Sequence, residues 1–216
     1  MNMATTASTT VPMNLTSVTL EVADPEAARR FYSAFGVDTL VRLRASDGNT
    51  SGFRGFTLAL TVPGPATVDG FLADAVSAGA DVLKPATKSM WGYGGVVRAP
   101  DGTIWKIATS AKKDTGPATR TIDDFVLLLG VEDVKATRQY YVDRGLDVTR
   151  SFGGKYAEFT AAEGPGSVKL ALYKRRALAK DLGVADDGTG SHRIVLGGTG
   201  GAFTDLDGFV WEPLAE

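Results

Sequence analysis

The chain has 216 residues, 44% of them hydrophobic, which is enough apolar material for one large core or two small ones. A formal net charge of -2 advertises no broad basic surface for nucleic acid. The absence of cysteine excludes disulfide frameworks, thiolate metal sites and thiol nucleophiles, and no apolar run approaches the ~18 residues needed to cross a membrane.

Residues 1–13 are Thr-rich and uncharged, with neither a basic nor an apolar leader segment, and read as a disordered tail on a soluble, cytoplasmic protein. LTSVTLEV (15–22) alternates like a half-buried strand. Asp24 and Pro25 then provide an N-cap and a first helical position. Ala28, Phe31, Tyr32 and Phe35 recur at helical spacing, and Gly36 closes the helix. A strand over 37–44 and a second over FTLALTV follow, then a helix over 66–79 with apolar positions Val68, Phe71, Leu72, Ala75 and Val76. YGGVVRAPDGTIWK (93–106) places a tight Pro-Asp-Gly turn between two short strands.

The chain then repeats itself. FVLLLGV, Asp133, Tyr140, Tyr141 and Gly145 match the first strand and helix at a shift of 109 residues, and TGGAFTDLDGFVWE (199–212) matches residues 93–106 at a shift of 106. Asp101, Gly102 and Trp105 thereby pair with Asp207, Gly208 and Trp211. Between these anchors the halves diverge. The second half adds a hairpin, YAEFTA with VKLALY, and a short helix near 177–182, but has no counterpart of the 66–79 helix or the strand after it. The polar stretch 108–123 contains the linker, so the units fall at 14–110 and 122–216, joined by 111–121.

The pattern D-P-E-A-A-R-R-F-Y-x-x-F-G followed by W-G-x-x-G and P-D-G-x-x-W resembles the vicinal oxygen chelate superfamily, which includes glyoxalase I, bleomycin-resistance proteins and extradiol dioxygenases. The resemblance implies an α+β fold of tandem βαβββ-type modules forming curved sheets around a cleft, with helices outside. It also implies metal ligands in its metal-using members: a His on the first strand, a His on the first strand of the partner module, and a Glu on the last strand. Carried onto this chain, the first position falls on Ser17 and Val126, the second on His192 in the second half alone, and the third on Lys106 and Glu212. A lysine repels a divalent ion. A catalytic metal usually takes three protein ligands, and Asp124 would serve as the third beside His192 and Glu212 only if its strand were displaced by one pleat repeat.

His192 reads otherwise as a half-buried imidazole bonded to a carbonyl or to Glu212. Trp91 and Tyr93 read as an aromatic wall over a ligand or as turn residues packed on a helix; Trp105 and Trp211, opposite Lys106 and Glu212 on their strands, belong to the core. YKRR (173–176) reads as a solvated charge run, and GGTGGAF lacks the glycine spacing of a phosphate loop. Ser17, Thr19 and Glu21 become Val126, Leu128 and Gly130 in the second half, so the second cleft is the more apolar.

The expected function is a small-molecule-binding protein of the glyoxalase/bleomycin-resistance type that needs no cofactor. Its cleft would hold an apolar or aromatic compound, with Trp91, Tyr93, Lys106, Asp124, His192 and Glu212 as candidate ligand-binding residues. The alternatives are a divalent-metal-dependent lyase or dioxygenase using His192, Glu212 and Asp124, and a non-catalytic dimerisation module. A small molecule is the expected partner, with homodimerisation as an option and neither nucleic acid nor membrane.

Overall fold

The computed structural model describes residues 13–162, 164 and 167–213; most of the expected tail lies outside them. Its last residue does not: Met13 is buried and donates its N–H to the Gly145 carbonyl at 3.2 Å.

Strand β1 (Leu15–Val22) buries Val18, Leu20 and Val22 on one face. The Asp24 carboxylate accepts from the N–H groups of Glu26 and Ala27 at 3.0 Å each and starts α1 (Pro25–Phe35). Those bonds and the charge of Arg30 hold the Asp24 carboxyl below its ordinary range. Gly36, at φ 82, ends the helix in the left-handed conformation that a side chain would resist. The expected strand 37–44 shrinks to β2 (Arg42–Ala45), because the Leu40 N–H bonds back to the Val37 carbonyl and turns the chain before the strand begins. Then come β3 (Thr50–Gly52), β4 (Phe56–Thr61), α2 (Pro65–Ser77), β5 (Asp81–Ser89), β6 (Gly92–Arg98) and β7 (Ile104–Thr109).

The linker is docked. Gly64 has no side chain to cap α2, and Asp114 accepts from the Ala66 N–H at 2.8 Å in its place. Arg120 pairs with Asp74 and lies 5.4 Å from the Phe71 ring centre.

The second half runs β8 (Asp124–Val131), α3 (Val134–Val142), β9 (Val148–Ser151), β10 (Tyr156–Phe159), β11 (Val168–Lys174), α4 (Arg175–Leu182), β12 (Gly188–Gly190), β13 (Ile194–Gly198), β14 (Phe203–Thr204) and β15 (Val210–Pro213). The expected hairpin is present as β10 and β11, which pair antiparallel.

Each main sheet draws strands from both halves. One has eight strands in the order β5-β6-β7-β4-β8-β11-β10-β9; the other has five, β14-β15-β13-β1-β2. The joins are antiparallel, β4 with β8 and β1 with β13, and a small ribbon of β3 with β12 adds a third link. The missing hairpin of the first half and the missing helix and strand of the second therefore thin the same five-stranded sheet, while the other sheet stays complete.

The main core joins one face of each sheet to α1, α2 and α3. Trp105 packs among Tyr32, Phe35 and Phe125, and Trp211 packs among Tyr141 and Phe203. Both indoles are fully buried, as strand alternation requires. Helix α4 packs apart from α1, α2 and α3. Its Leu178, Ala179 and Leu182 form a separate cluster with Val96, Ile104 and Leu128, on the opposite face of the eight-stranded sheet.

Candidate functional site

The pairing register lines up equivalent positions across each sheet. Ala59 on β4 stands opposite Lys106 on β7 and Val126 on β8. Gly197 on β13 stands opposite Glu212 on β15 and Ser17 on β1. The rows Lys106–Ala59–Val126 and Glu212–Gly197–Ser17 thus correspond member by member.

The first row lies on the open face of the complete sheet. Helix α4 covers part of this face, and Leu128 packs half-buried against the cluster that holds Leu178 and Leu182. Two lysines hold its C-terminal end. Lys84 donates to the carbonyls of Lys180 at 3.3 Å and Asp181 at 2.5 Å, and Lys106 donates to the Asp181 carboxylate at 2.6 Å. Cations at these carbonyls also meet the negative end of the helix dipole. Gly183, at φ 78, closes the helix under the Lys84 stem.

Beside α4 the face stays open as a groove of about 320 Å³. Gly94, Val96 and Ala108 floor it, Lys106 and Asp181 form its polar end, and Trp91 stands at its mouth. Trp91 sits in the turn between β5 and β6, where its N–H bonds to Ser89 Oγ at 3.2 Å, and it is 84% exposed. The structure thus brings Trp91 and Lys106 together. Tyr93 borders the groove, but its ring faces the other way: it packs on the main core, and its hydroxyl donates to Asp69 of α2 at 2.8 Å. Asp124 lies two strands from Lys106, where Lys169 pairs with it at 2.5 Å.

His192 and Glu212 lie elsewhere. Glu212 is on β15 of the five-stranded sheet, with both carboxylate oxygens 3.0 Å from Arg44 Nη1; Arg44 Nη2 reaches Glu21 at 2.8 Å. These two carboxylates raise the Arg44 pKa, Glu21 foremost. His192 precedes β13, stacked on Phe209 with ring centres 4.1 Å apart. Its Nδ1 lies 2.5 Å from the Arg54 carbonyl and its Nε2 3.0 Å from the Asp207 carbonyl. It thereby ties the lead-in to β4 to the turn before β15.

No protein-family profile matches the chain, and no curated protein matches it. Solved structures do. Glyoxalase I from Zea mays superposes with a TM-score of 0.57 at 13% identity, over 92% of this chain and 91% of that one. A point mutant of that protein gives 0.58 at 14% identity, over 93% of each chain. A protein of Bacillus subtilis subsp. subtilis str. 168, provisionally assigned as a dioxygenase, gives 0.57 at 12% identity, over 94% of this chain and 84% of that one. The chain thus has a glyoxalase I-like fold.

Within this fold, the assignment of His192 to the partner-module ligand position is corrected by register. The residue in line with Ser17 and Glu212 is Gly197, five residues later, and the residue in line with Val126 and Lys106 is Ala59. His192 lies before the first residue of β13, not on the strand. Asp124 and Glu212 stand on different sheets. The donor set does not fit a divalent cation: one row offers Lys, Ala and Val, and the other offers Ser, Gly and a Glu already bound to arginine. Among the described residues no three His, Asp or Glu side chains cluster closely enough to hold a metal ion.

Lys84, Val96, Ala108 and Asp181 are among the groove residues missed in the sequence. For Asp181 a signal existed, since Leu178, Ala179 and Leu182 give the 175–182 helix one apolar stripe and leave Asp181 beside it. Lys84 carries no such signal, because its partners are backbone carbonyls about a hundred residues away.

Proposed function

We propose that the chain is a small-molecule-binding protein of the glyoxalase/bleomycin-resistance type that works without a metal, and that its ligand lies in the groove between α4 and the β5–β6 hairpin. The observation that carries this reading is the convergence of an exposed indole, an apolar floor and an anchored ion pair on one concave surface of about 320 Å³. That volume lies within the ordinary range for small-molecule sites. Trp91 offers a face for an aromatic or apolar ring. Lys106 keeps spare N–H donors beyond the one given to Asp181, so a polar substituent on the ligand has a partner at the far end.

Metal independence is supported by the donor chemistry of both rows. The reading has a direct test in a thermal-shift screen of aromatic and apolar compounds. A ligand at a hundred times its dissociation constant adds about 2.7 kcal/mol of stability. The shift is expected to persist in EDTA and in His192→Ala, and Trp91→Ala is expected to weaken binding about tenfold. A screen with no hits, or hits indifferent to Trp91→Ala, contradicts the reading.

A further inference from the structure

A second cavity, of about 430 Å³, opens beyond the end of α4. Phe53, Ile104 and Val184 give it apolar walls, and Arg54 and Arg98 its charge. It is separate from the groove at Trp91: Lys84 lines that groove and packs on Gly183, which lines this cavity.

The polar groups of this cavity are incompletely matched. Arg54 donates from Nη2 to the Asp101 carbonyl at 2.6 Å, against the turn where Gly102 leaves room for it, but its buried Nη1 has no partner. Thr50 Oγ1 is also buried without one. Among the described residues Arg98 makes no ion pair or side-chain hydrogen bond, and it is exposed. The nearby carboxylate of Asp101 is already engaged, by the Tyr32 hydroxyl at 2.6 Å and the Thr103 N–H at 2.8 Å. Asp187 is the one acidic residue lining the cavity. A buried donor left unpaired is costly, and a guanidinium is suited to a carboxylate or phosphate.

We propose that this cavity is a binding site for a small organic anion, a carboxylate or phosphate carrying an apolar body, with Arg98 taking the charge, the Arg54 guanidinium adding a second positive charge from the wall, and Phe53, Ile104 and Val184 taking the body. Sodium benzoate and phenyl phosphate are suitable probes, with benzyl alcohol as the neutral comparison, titrated calorimetrically into the full chain at low salt. At least one anion is expected to bind saturably, more tightly than benzyl alcohol, and to weaken as salt is raised. Arg98→Gln is expected to cost about tenfold in affinity. Lys155→Gln, which removes an exposed cation before β10, is expected to cost nothing. Because Arg98 is exposed, its replacement leaves the fold intact, which circular dichroism verifies; Arg98→Lys, which keeps the charge but loses the fork, is expected to fall between. Binding of benzoate alone makes this a carboxylate site, and binding of phenyl phosphate alone a phosphate site. No saturable binding of either anion overturns the proposal, as does equal binding of benzyl alcohol or an affinity unchanged in Arg98→Gln.

Discussion

The Tyr141 hydroxyl donates to the Asp205 carboxylate in the interior, and the Trp211 indole N–H donates to that hydroxyl at 3.2 Å. In the first half Tyr32 donates to Asp101 in the same way. The sequence shift of 106 pairs Asp101 with Asp207, yet the role of Asp101 passes to Asp205, whose Oδ1 accepts from the N–H groups of Asp207 and Phe209. Burial raises the Asp205 pKa, against the lowering effect of its bonds to Tyr141, Phe209 and Asp207. A carboxyl whose folded pKa is raised contributes stability that is present at low pH and lost as pH rises through that folded value. Relative to Asp205→Asn, the wild type is therefore expected to gain stability as pH falls from neutral toward the ordinary carboxylate range, measured by urea unfolding at each pH; a difference flat in pH would contradict this. For single residues, the caps and the core tryptophans were legible, because each follows from strand or helix period; the meeting of Trp91 with Lys106 was not, because Trp91 sits in a turn outside any period. The register that puts Gly197 rather than His192 in line with Glu212 was not, because a strand's starting residue is fixed by its partners.

Helix α4 is the element that most alters the reading. Its apolar stripe was visible, but its destination was not: an amphipathic segment of eight residues states that one face is buried and leaves open against what. The apolar Val126-Leu128-Gly130 face supplies the answer, since Leu128 would otherwise be a large side chain on an open surface, and Gly130 lets the backbone of Arg175 approach it closely. Leu182 is fully buried, so Leu182→Ala is expected to cost about 2–5 kcal/mol. Hydrogen exchange of that variant is expected to show the amides of α4 losing protection before those of α1, which belongs to the other core. Simultaneous loss in both helices would mean that α4 is integral to the main core. The exposed Lys106–Asp181 pair adds at most about 1 kcal/mol to the docking.

For the molecule as a whole, the α+β class was legible through the family resemblance and the paired losses through the two shifts, but the way the strands combine was not. Periodicity says which residues are strands and leaves the choice of neighbour to tertiary packing. Here the β4–β8 and β1–β13 joins place both large sheets across the two halves. Residues 14–110 and 122–216 expressed separately are accordingly expected to be unfolded or aggregated, because each exposes the long unpaired edge of β4 or β8. Mixing the two fragments is expected to restore the native circular dichroism, whereas two independently folded fragments would contradict the topology.

The proposed ligand lies on the part of the sheet face that α4 leaves open. Amide and indole chemical-shift mapping, in ¹⁵N-labelled protein titrated with the hits of the aromatic screen, tests this placement most directly. The shifts are expected to concentrate at the Trp91 indole and at Val96, Lys106, Ala108 and Asp181. Shifts concentrated at His192, Ser17 and Glu212, or none at all, would contradict it.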